Sequence, residues 1–276
     1  MNKKRLLIGM CSWDNPELLK VCVDSILDDI DLNKDGIAVV LNEADNQSIE
    51  YLRSKKIPFV CLPENRGVLA IDYLLPFVQN CEYFLNSNDD MVFQEGFSEK
   101  LIKAMEKYYP CSVSLGFVEN FPSANHAVSV DSELKSILDK ASRSSFHRKA
   151  AEGKYDRSHH MVGYQHPICV KRKDYLKVGG YSGNWDMDFQ SGWGRDDMFP
   201  FLLKRSNKEF VFITLKDSHV FHQSSATMKK LKKLNPELAS QDNQDTFEVK
   251  TKMPLLQFKQ HFSSFSLHYY IDEKYN

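Results

Sequence analysis

Tyr83-Phe84-Leu85-Asn86-Ser87-Asn88-Asp89-Asp90-Met91-Val92-Phe93 runs from an apolar strand straight into two adjacent carboxylates and out again into apolar residues. The pattern anchors the acids at a strand end beside the core. Carboxylates paired in such a place are costly unless a cation neutralises them, and hard oxygen ligands suit Mg²⁺ or Mn²⁺ bridging phosphates. The plainer alternative is a solvated Asp-Asp turn.

Around this stretch, apolar runs of strand length alternate with helical patterns through the first 117 residues, which predicts βαβ units and a mostly parallel sheet flanked by helices. Strands are expected over 5–11, 36–41, 58–62, 83–85 and 111–117. Asn15 reads as an N-cap with Pro16 at the first helical position, and Leu18, Leu19, Cys22, Ile26 and Ile30 fall on one helical stripe. Further helices are expected near 47–55, 67–80 and 96–108, the second kinked or ended by Pro76. From 118 to about 165 the pattern weakens into a polar stretch with a helix somewhere within 132–151 and a long loop of the kind that carries function. Regularity returns with a strand at 167–171, a Gly179-Gly180 turn, a helix over 196–206 and a strand at 209–215, before a Lys-rich and then aromatic extension over 223–276.

Of the 276 residues 42% are hydrophobic and 26% charged, enough apolar mass for one large domain or two small ones. Lys and Arg number 36 against 37 Asp and Glu, so there is no global field for gripping nucleic acid or an anionic bilayer. No apolar run approaches the roughly 20 residues of a bilayer span, and the apolar stretch after Met-Asn-Lys-Lys-Arg is short for a signal peptide. The expected location is the cytoplasm, free or peripheral at the inner face of the membrane. Cys11, Cys22, Cys61, Cys81, Cys111 and Cys169 are scattered singly among mostly apolar neighbours, which predicts reduced, buried thiols.

In open α/β sheets ligands bind beyond the carboxyl ends of the strands. The polar residues there are Ser12, Trp13 and Asp14; Asn42 and Glu43; Glu64, Asn65, Arg66 and Gly67; and Asn88, Asp89 and Asp90. A stacking ring, carboxylates and one arginine suit a nucleoside diphosphate. A second acidic cluster, Ser191-Gly192-Trp193-Gly194-Arg195-Asp196-Asp197-Met198-Phe199, places Asp196 and Asp197 at a predicted helix N-terminus, where capping alone would also explain them. Asp217-Ser218-His219-Val220-Phe221-His222 follows the last clear strand, and a neutral imidazole there could complete a carboxylate site around a divalent metal.

Over about residues 5–222 these features resemble the GT-A fold glycosyltransferases, most closely the inverting, family 2-like enzymes. Cys11-Ser12-Trp13-Asp14-Asn15-Pro16 is similar to the family's opening turn, and Glu64-Asn65-Arg66-Gly67 to its Glu-Asn-x-Gly turn. Asn88-Asp89-Asp90 stands at the D-x-D position, and Gly192-Trp193-Gly194-Arg195-Asp196-Asp197 resembles the Gly-Trp-Gly-x-Glu-Asp motif. Two positions depart from the pattern: Asn88 carries no charge, and Asp196 is one methylene shorter than Glu. The resemblance implies a single large GT-A domain, with 1–117 as its nucleotide-sugar-binding half, 118–222 as its acceptor-binding half and 223–276 as a C-terminal extension.

It also implies roles. Cys11, Ser12, Trp13, Asp14, Asn42, Glu43, Asn65, Arg66, Gly67, Asn88 and Asp89 would line the nucleotide-sugar site, with Trp13 at the base, Asn42 or Glu43 at the base or ribose, and Arg66 toward the diphosphate. Asp90 and His222 would ligate Mn²⁺ or Mg²⁺, with His219 the weaker candidate. Asp197 would be the general base for an acceptor hydroxyl, with Trp193 and Asp196 holding the acceptor. The implied activity is metal-dependent transfer of a sugar, with inversion, from a UDP-sugar or similar donor. Competing readings are a sugar nucleotidyltransferase, which would call for a glycine-rich basic segment where Ser12-Trp13-Asp14-Asn15-Pro16 stands, and a non-catalytic nucleotide- or glycan-binding module. The acceptor classes left open are a glycan, a lipid-linked saccharide or another hydroxyl compound, modified DNA included. The basic stretch from Arg143 to Arg157 and the run Lys229-Lys230-Leu231-Lys232-Lys233 could attract an anionic acceptor, solvated surface charge being the stronger reading. The aromatics Phe258, Phe262, Phe265, Tyr269 and Tyr270 read as core packing first and a homodimer contact second. The 118–165 segment is expected to order over the site when donor binds.

Overall fold

Lys4–Ser12 (β1) alternates between two cores, as a strand covered on both faces must: Leu6, Ile8 and Met10 pack into one and Leu7 into the other. The computed structural model describes residues 3–120, 129–162, 166–181 and 195–223, with the side chains of Val68, 195–198 and Phe201 outside that description. β1 pairs in parallel with Gly36–Asn42 (β2) on one side and Cys81–Asn88 (β4) on the other, and β2 pairs in parallel with Phe59–Leu62 (β3). The strands succeed one another as β3-β2-β1-β4, so the chain reverses its direction of travel across the sheet between β1 and β4. The crevice at such a reversal is where open α/β sheets take ligands.

Beyond β4 the sheet becomes mixed. Ile168–Lys171 (β9) lies antiparallel between β4 and Cys111–Glu119 (β6), which pairs in parallel with Val211–His222 (β10). Met91–Phe93 (β5) closes this edge antiparallel to β10, while Ser129–Val130 (β7) and Met161–Val162 (β8) add short pairs to β6 and β10. Helices Pro16–Leu27 (α1), Asn46–Ser54 (α2) and Phe97–Tyr108 (α4) cover one face. A 3₁₀ helix over Gly67–Leu74, then Leu75–Val78 (α3), Arg172–Val178 (α6) and Arg195–Ser206 (α7), cover the other. Lys140–Ala151 (α5) builds a third apolar cluster, with Phe146 and Ala150 against Val92, Val118 and Phe221. No described helix is long and apolar enough to cross a membrane.

Several expectations shift in detail. The 67–80 segment is a 3₁₀ helix joined to a short α-helix, and Pro76 sits in the first turn of α3, where its missing N–H costs nothing. Asn15 precedes α1 but makes no side-chain cap; its carbonyl accepts from Leu19 N at 2.9 Å while its side chain bonds Asp89. Gly179 and Gly180 have φ of 78° and 69°, as the expected turn requires. All six thiols are free; Cys22, Cys81, Cys111 and Cys169 are buried, whereas Cys61 on the edge strand β3 is exposed and Cys11 is half-buried. The expected 209–215 strand continues to His222 through a register shift between Thr214 and His219. Residues 224–276, with their Lys run and aromatics, lie outside the described residues.

Candidate active site

The register of β1 and β4 sets Cys11 beside Asn88 at the reversal point. Ser12 Oγ donates to Asp89 Oδ2 at 2.6 Å, tying the two strand ends together. Asp89 and Asp90 are 4% and 6% exposed, so both carboxylates sit inside the protein. Burial, then the charge of Asp90, pushes the Asp89 pKa up to about 7, against the opposing pull of its bonds to Ser12 and Asn15. Burial also lifts Asp90 above the usual carboxylate range, and His222 partly offsets it.

His222 reaches Asp90 because β10 pairs with β5 in a register that sets His222 opposite Met91. Its Nε2 lies 3.6 Å from Asp90 Oδ1 and its Nδ1 lies 2.6 Å from Glu119 Oε1. The ring stacks on Phe117 at 4.6 Å between centroids and 16° between planes. Burial opposes charge on this imidazole, but Asp90 and Glu119 outweigh it, leaving the His222 pKa above its ordinary value. His166 lies near by, its ring nitrogens buried; burial and then the His222 charge depress its pKa to about 3. His219 points elsewhere, with Nε2 3.1 Å from Asp156 Oδ1.

The second group forms the rim beyond β2 and β3. Asn42 Nδ2 donates to Asn65 Oδ1 at 2.6 Å and to the Gly67 carbonyl at 3.2 Å, and its Oδ1 accepts from Arg66 N at 2.6 Å. Asn65 Oδ1 also accepts from Gly67 N at 2.8 Å, so Asn42 and Asn65 shape the turn. Gly67 takes φ 56° there, in the left-handed region. The Arg66 guanidinium is exposed and paired with Glu64. Trp13 Nε1 donates to Glu43 Oε2 at 2.8 Å, and Asp14 and Glu43 both hold positive φ, 50° and 66°. These turns at the ends of β1 and β2 present an indole and two carboxylates at the mouth of the crevice.

Asp196 and Asp197 occupy the first turn of α7, their side chains outside the description, and Trp193 lies outside the described residues altogether. Part of the basic stretch serves the fold: Lys149 pairs with Asp131 and Glu133, Arg148 with Glu152, and Arg143 donates to the Ile137 carbonyl. Residues 121–128 and 163–165 of the segment expected to order over the site are outside the described residues. Sequence reasoning missed Glu119 and His166. Glu119 ends a strand that the sequence pattern predicts only to residue 117, and the strand-end rule applied two residues further on reaches it; His166 carries no signal of its own.

Among the described residues no group of three or more His, Cys, Asp or Glu side chains is arranged to hold a metal ion. The chemistry of Asp90 and His222 fits a cation whose remaining ligands are phosphate oxygens and water. Asp90 Oδ1 is buried with no hydrogen-bond partner and faces an imidazole nitrogen. One or two protein ligands with phosphate oxygens and water are the usual sphere of Mg²⁺ in phosphate chemistry.

This sheet, with its reversal between β1 and β4 and its mixed far edge, is the GT-A fold. One similar structure is that of GalNAc-T7 crystallised with UDP, GalNAc and Mn²⁺: TM-score 0.58, 10% identity, 96% of this chain and 55% of that one covered. Another is residues 1–349 of TarS from S. aureus, with TM-score 0.56, 9% identity, and 94% and 72% covered. The chain thus spans about half of the GalNAc-T7 chain, and at these identities the likeness is one of fold. No family model matches the chain, and no curated protein sequence does.

Proposed function

We propose that the protein is a metal-dependent glycosyltransferase that moves a sugar from a nucleotide-sugar donor, UDP-sugar first among them, to an acceptor hydroxyl. The observation that carries this reading is the buried Asp89–Asp90 pair at the sheet's reversal point, with Asp90 Oδ1 lacking a hydrogen-bond partner and facing His222. Two carboxyl groups kept out of water are neutralised by a proton or by a cation, and a strand-end crevice is where a diphosphate would bring the cation. The solved GalNAc-T7 complex, which shares the fold, contains UDP and Mn²⁺.

Asp90 and His222 would hold Mn²⁺ or Mg²⁺. Bound there, the ion offsets the charge that develops on the departing nucleoside diphosphate. Asp89, held by Ser12, would meet the ribose or sugar. Trp13 offers a face for the base, and Arg66, held at its backbone by Asn42, would exchange Glu64 for the diphosphate. Asp197 would take the proton of the acceptor hydroxyl as it attacks the anomeric carbon from the far side, giving inversion. The chain is read as two halves of one domain, donor-binding to residue 117 and acceptor-binding to residue 222.

Thermal unfolding with UDP, GDP, CMP and dTDP, each with Mn²⁺ and with EDTA, tests this reading. Stabilisation by one nucleoside diphosphate only with Mn²⁺ is expected, because a ligand that binds only the folded state raises its stability. Asp90→Ala should fold and lose that metal-dependent shift. An unchanged shift in Asp90→Ala removes Asp90 from the site, and no shift with any nucleotide leaves a non-catalytic module on the same fold.

A further inference from the structure

Glu119 ends β6 at 1% exposure, a carboxylate inside the protein. Val118 pairs with Phe221 in the β6–β10 register, so the next residues along, Glu119 and His222, stand side by side. Their contact is 2.6 Å, from Nδ1 to Oε1. The imidazole is therefore held three ways: one nitrogen on Glu119, its face on Phe117, and its other nitrogen 3.6 Å from Asp90 Oδ1. An imidazole that donates Nδ1–H to a carboxylate keeps its Nε2 lone pair free for a cation, with the ring unable to flip. A free ring would present either nitrogen and place neither.

We propose that Glu119 is the positioning residue of the Asp90–His222 centre: its carboxylate accepts the hydrogen bond of His222 Nδ1–H and so holds Nε2 beside Asp90 as a ligand for a divalent cation. The proposal rests on the transferase reading only in supposing that a cation binds there. In this role Glu119 acts on the cation through the imidazole rather than as a ligand itself.

The test is Mn²⁺ binding to the full chain, without acceptor and with and without UDP, followed by the electron paramagnetic resonance of free Mn²⁺. Glu119→Gln keeps the shape and loses the charge; Glu119→Ala loses both. Each variant is expected to bind Mn²⁺ about 10- to 100-fold more weakly, the usual cost of losing such an outer carboxylate, with an unchanged far-ultraviolet circular dichroism spectrum. Folded variants that bind Mn²⁺ as the wild type does overturn the proposal while leaving the transferase reading in place. Wild-type protein that takes no Mn²⁺ in either condition overturns both. Because Glu119→Ala could fail to fold, the wild type supplies a second reading: with ¹⁵N-labelled histidine, sub-stoichiometric Mn²⁺ should broaden the His222 Nε2 signal before Nδ1. The reverse order overturns the proposal.

Discussion

At Gly9 a single hydrogen atom decides how β1 meets the layer above it. A Cβ added there would lie 2.6 Å from Phe84 Cε2 and 2.8 Å from Leu74 Cδ1, so the ring of Phe84 and the 3₁₀ helix close directly over the bare backbone of the central strand. Gly9→Ala should therefore destabilise the protein by about 1–3 kcal/mol, the usual cost of overpacking a filled core. Urea unfolding measures it, and an unchanged midpoint would show that the ring and leucine yield freely. Adding Phe84→Leu should recover part of the loss, since the two sites share one contact and their effects cannot be independent. Both Gly9 and the Ser12–Asp89 tie lie on β1, so the strand that carries the core also sets the first contact of the candidate site.

Among the elements, α5 shows how a polar stretch without a strong apolar period is held. Asp131, just after β7, accepts from Lys149 Nζ at 2.7 Å and from Tyr155 Oη at 2.6 Å, and its other oxygen accepts from Glu133 N at 3.2 Å. Burial opposes its charge, but the bonds from Lys149 and Tyr155 prevail and hold its pKa below the ordinary value. Asp131→Ala should cost about 2–3 kcal/mol, since hydrogen bonds to a charged group are lost and a buried phenol is left without its acceptor. Amide exchange should quicken through α5 more than through β1; equal protection in the variant would show that Phe146 and Ala150 hold the helix alone. This device is not legible from a sequence, because Asp131, Lys149 and Tyr155 meet only through the fold. Legibility elsewhere follows the same line. β1 and β2 were readable because both faces are apolar, whereas β4 outran its expected end because Asn86 and Ser87 are polar yet buried. Lys216 and Asp217 likewise hid the continuation of β10, and with it the pairing that brings Glu119 to His222. The acids after β4 were visible as residues; which histidine would meet them depended on a register that only the β5–β10 pair sets.

Across the whole molecule, the histidines away from the crevice make stability depend on pH in a direction that can be worked out. His160 is half-buried and its Nδ1 accepts the Lys216 N–H at 3.1 Å, a bond that the neutral ring makes and the protonated ring cannot. His219 is fully buried with Nδ1 lacking a partner, so a proton there would be a donor without an acceptor. Burial depresses the pKa of both below 6.5, the pull of Asp217 on His160 and of Asp156 on His219 notwithstanding. A histidine with a depressed folded-state pKa contributes stability above its unfolded value and loses it as pH falls, because the unfolded chain takes the proton first. The share of stability that these two rings supply should therefore fall as pH drops below about 6.5, where an unperturbed histidine titrates, while the raised Asp89, Asp90 and His222 work in the opposite direction. His160→Gln keeps an acceptor for Lys216 N–H but cannot titrate, so the gap between its urea midpoint and the wild type's should shift in the variant's favour as pH falls through that range. Parallel curves for the two proteins would remove His160 from the account. Both histidines brace β10, His160 from the turn before β8 and His219 from within the strand. Acid should consequently loosen β10 before β1, with amide exchange quickening in β10 first.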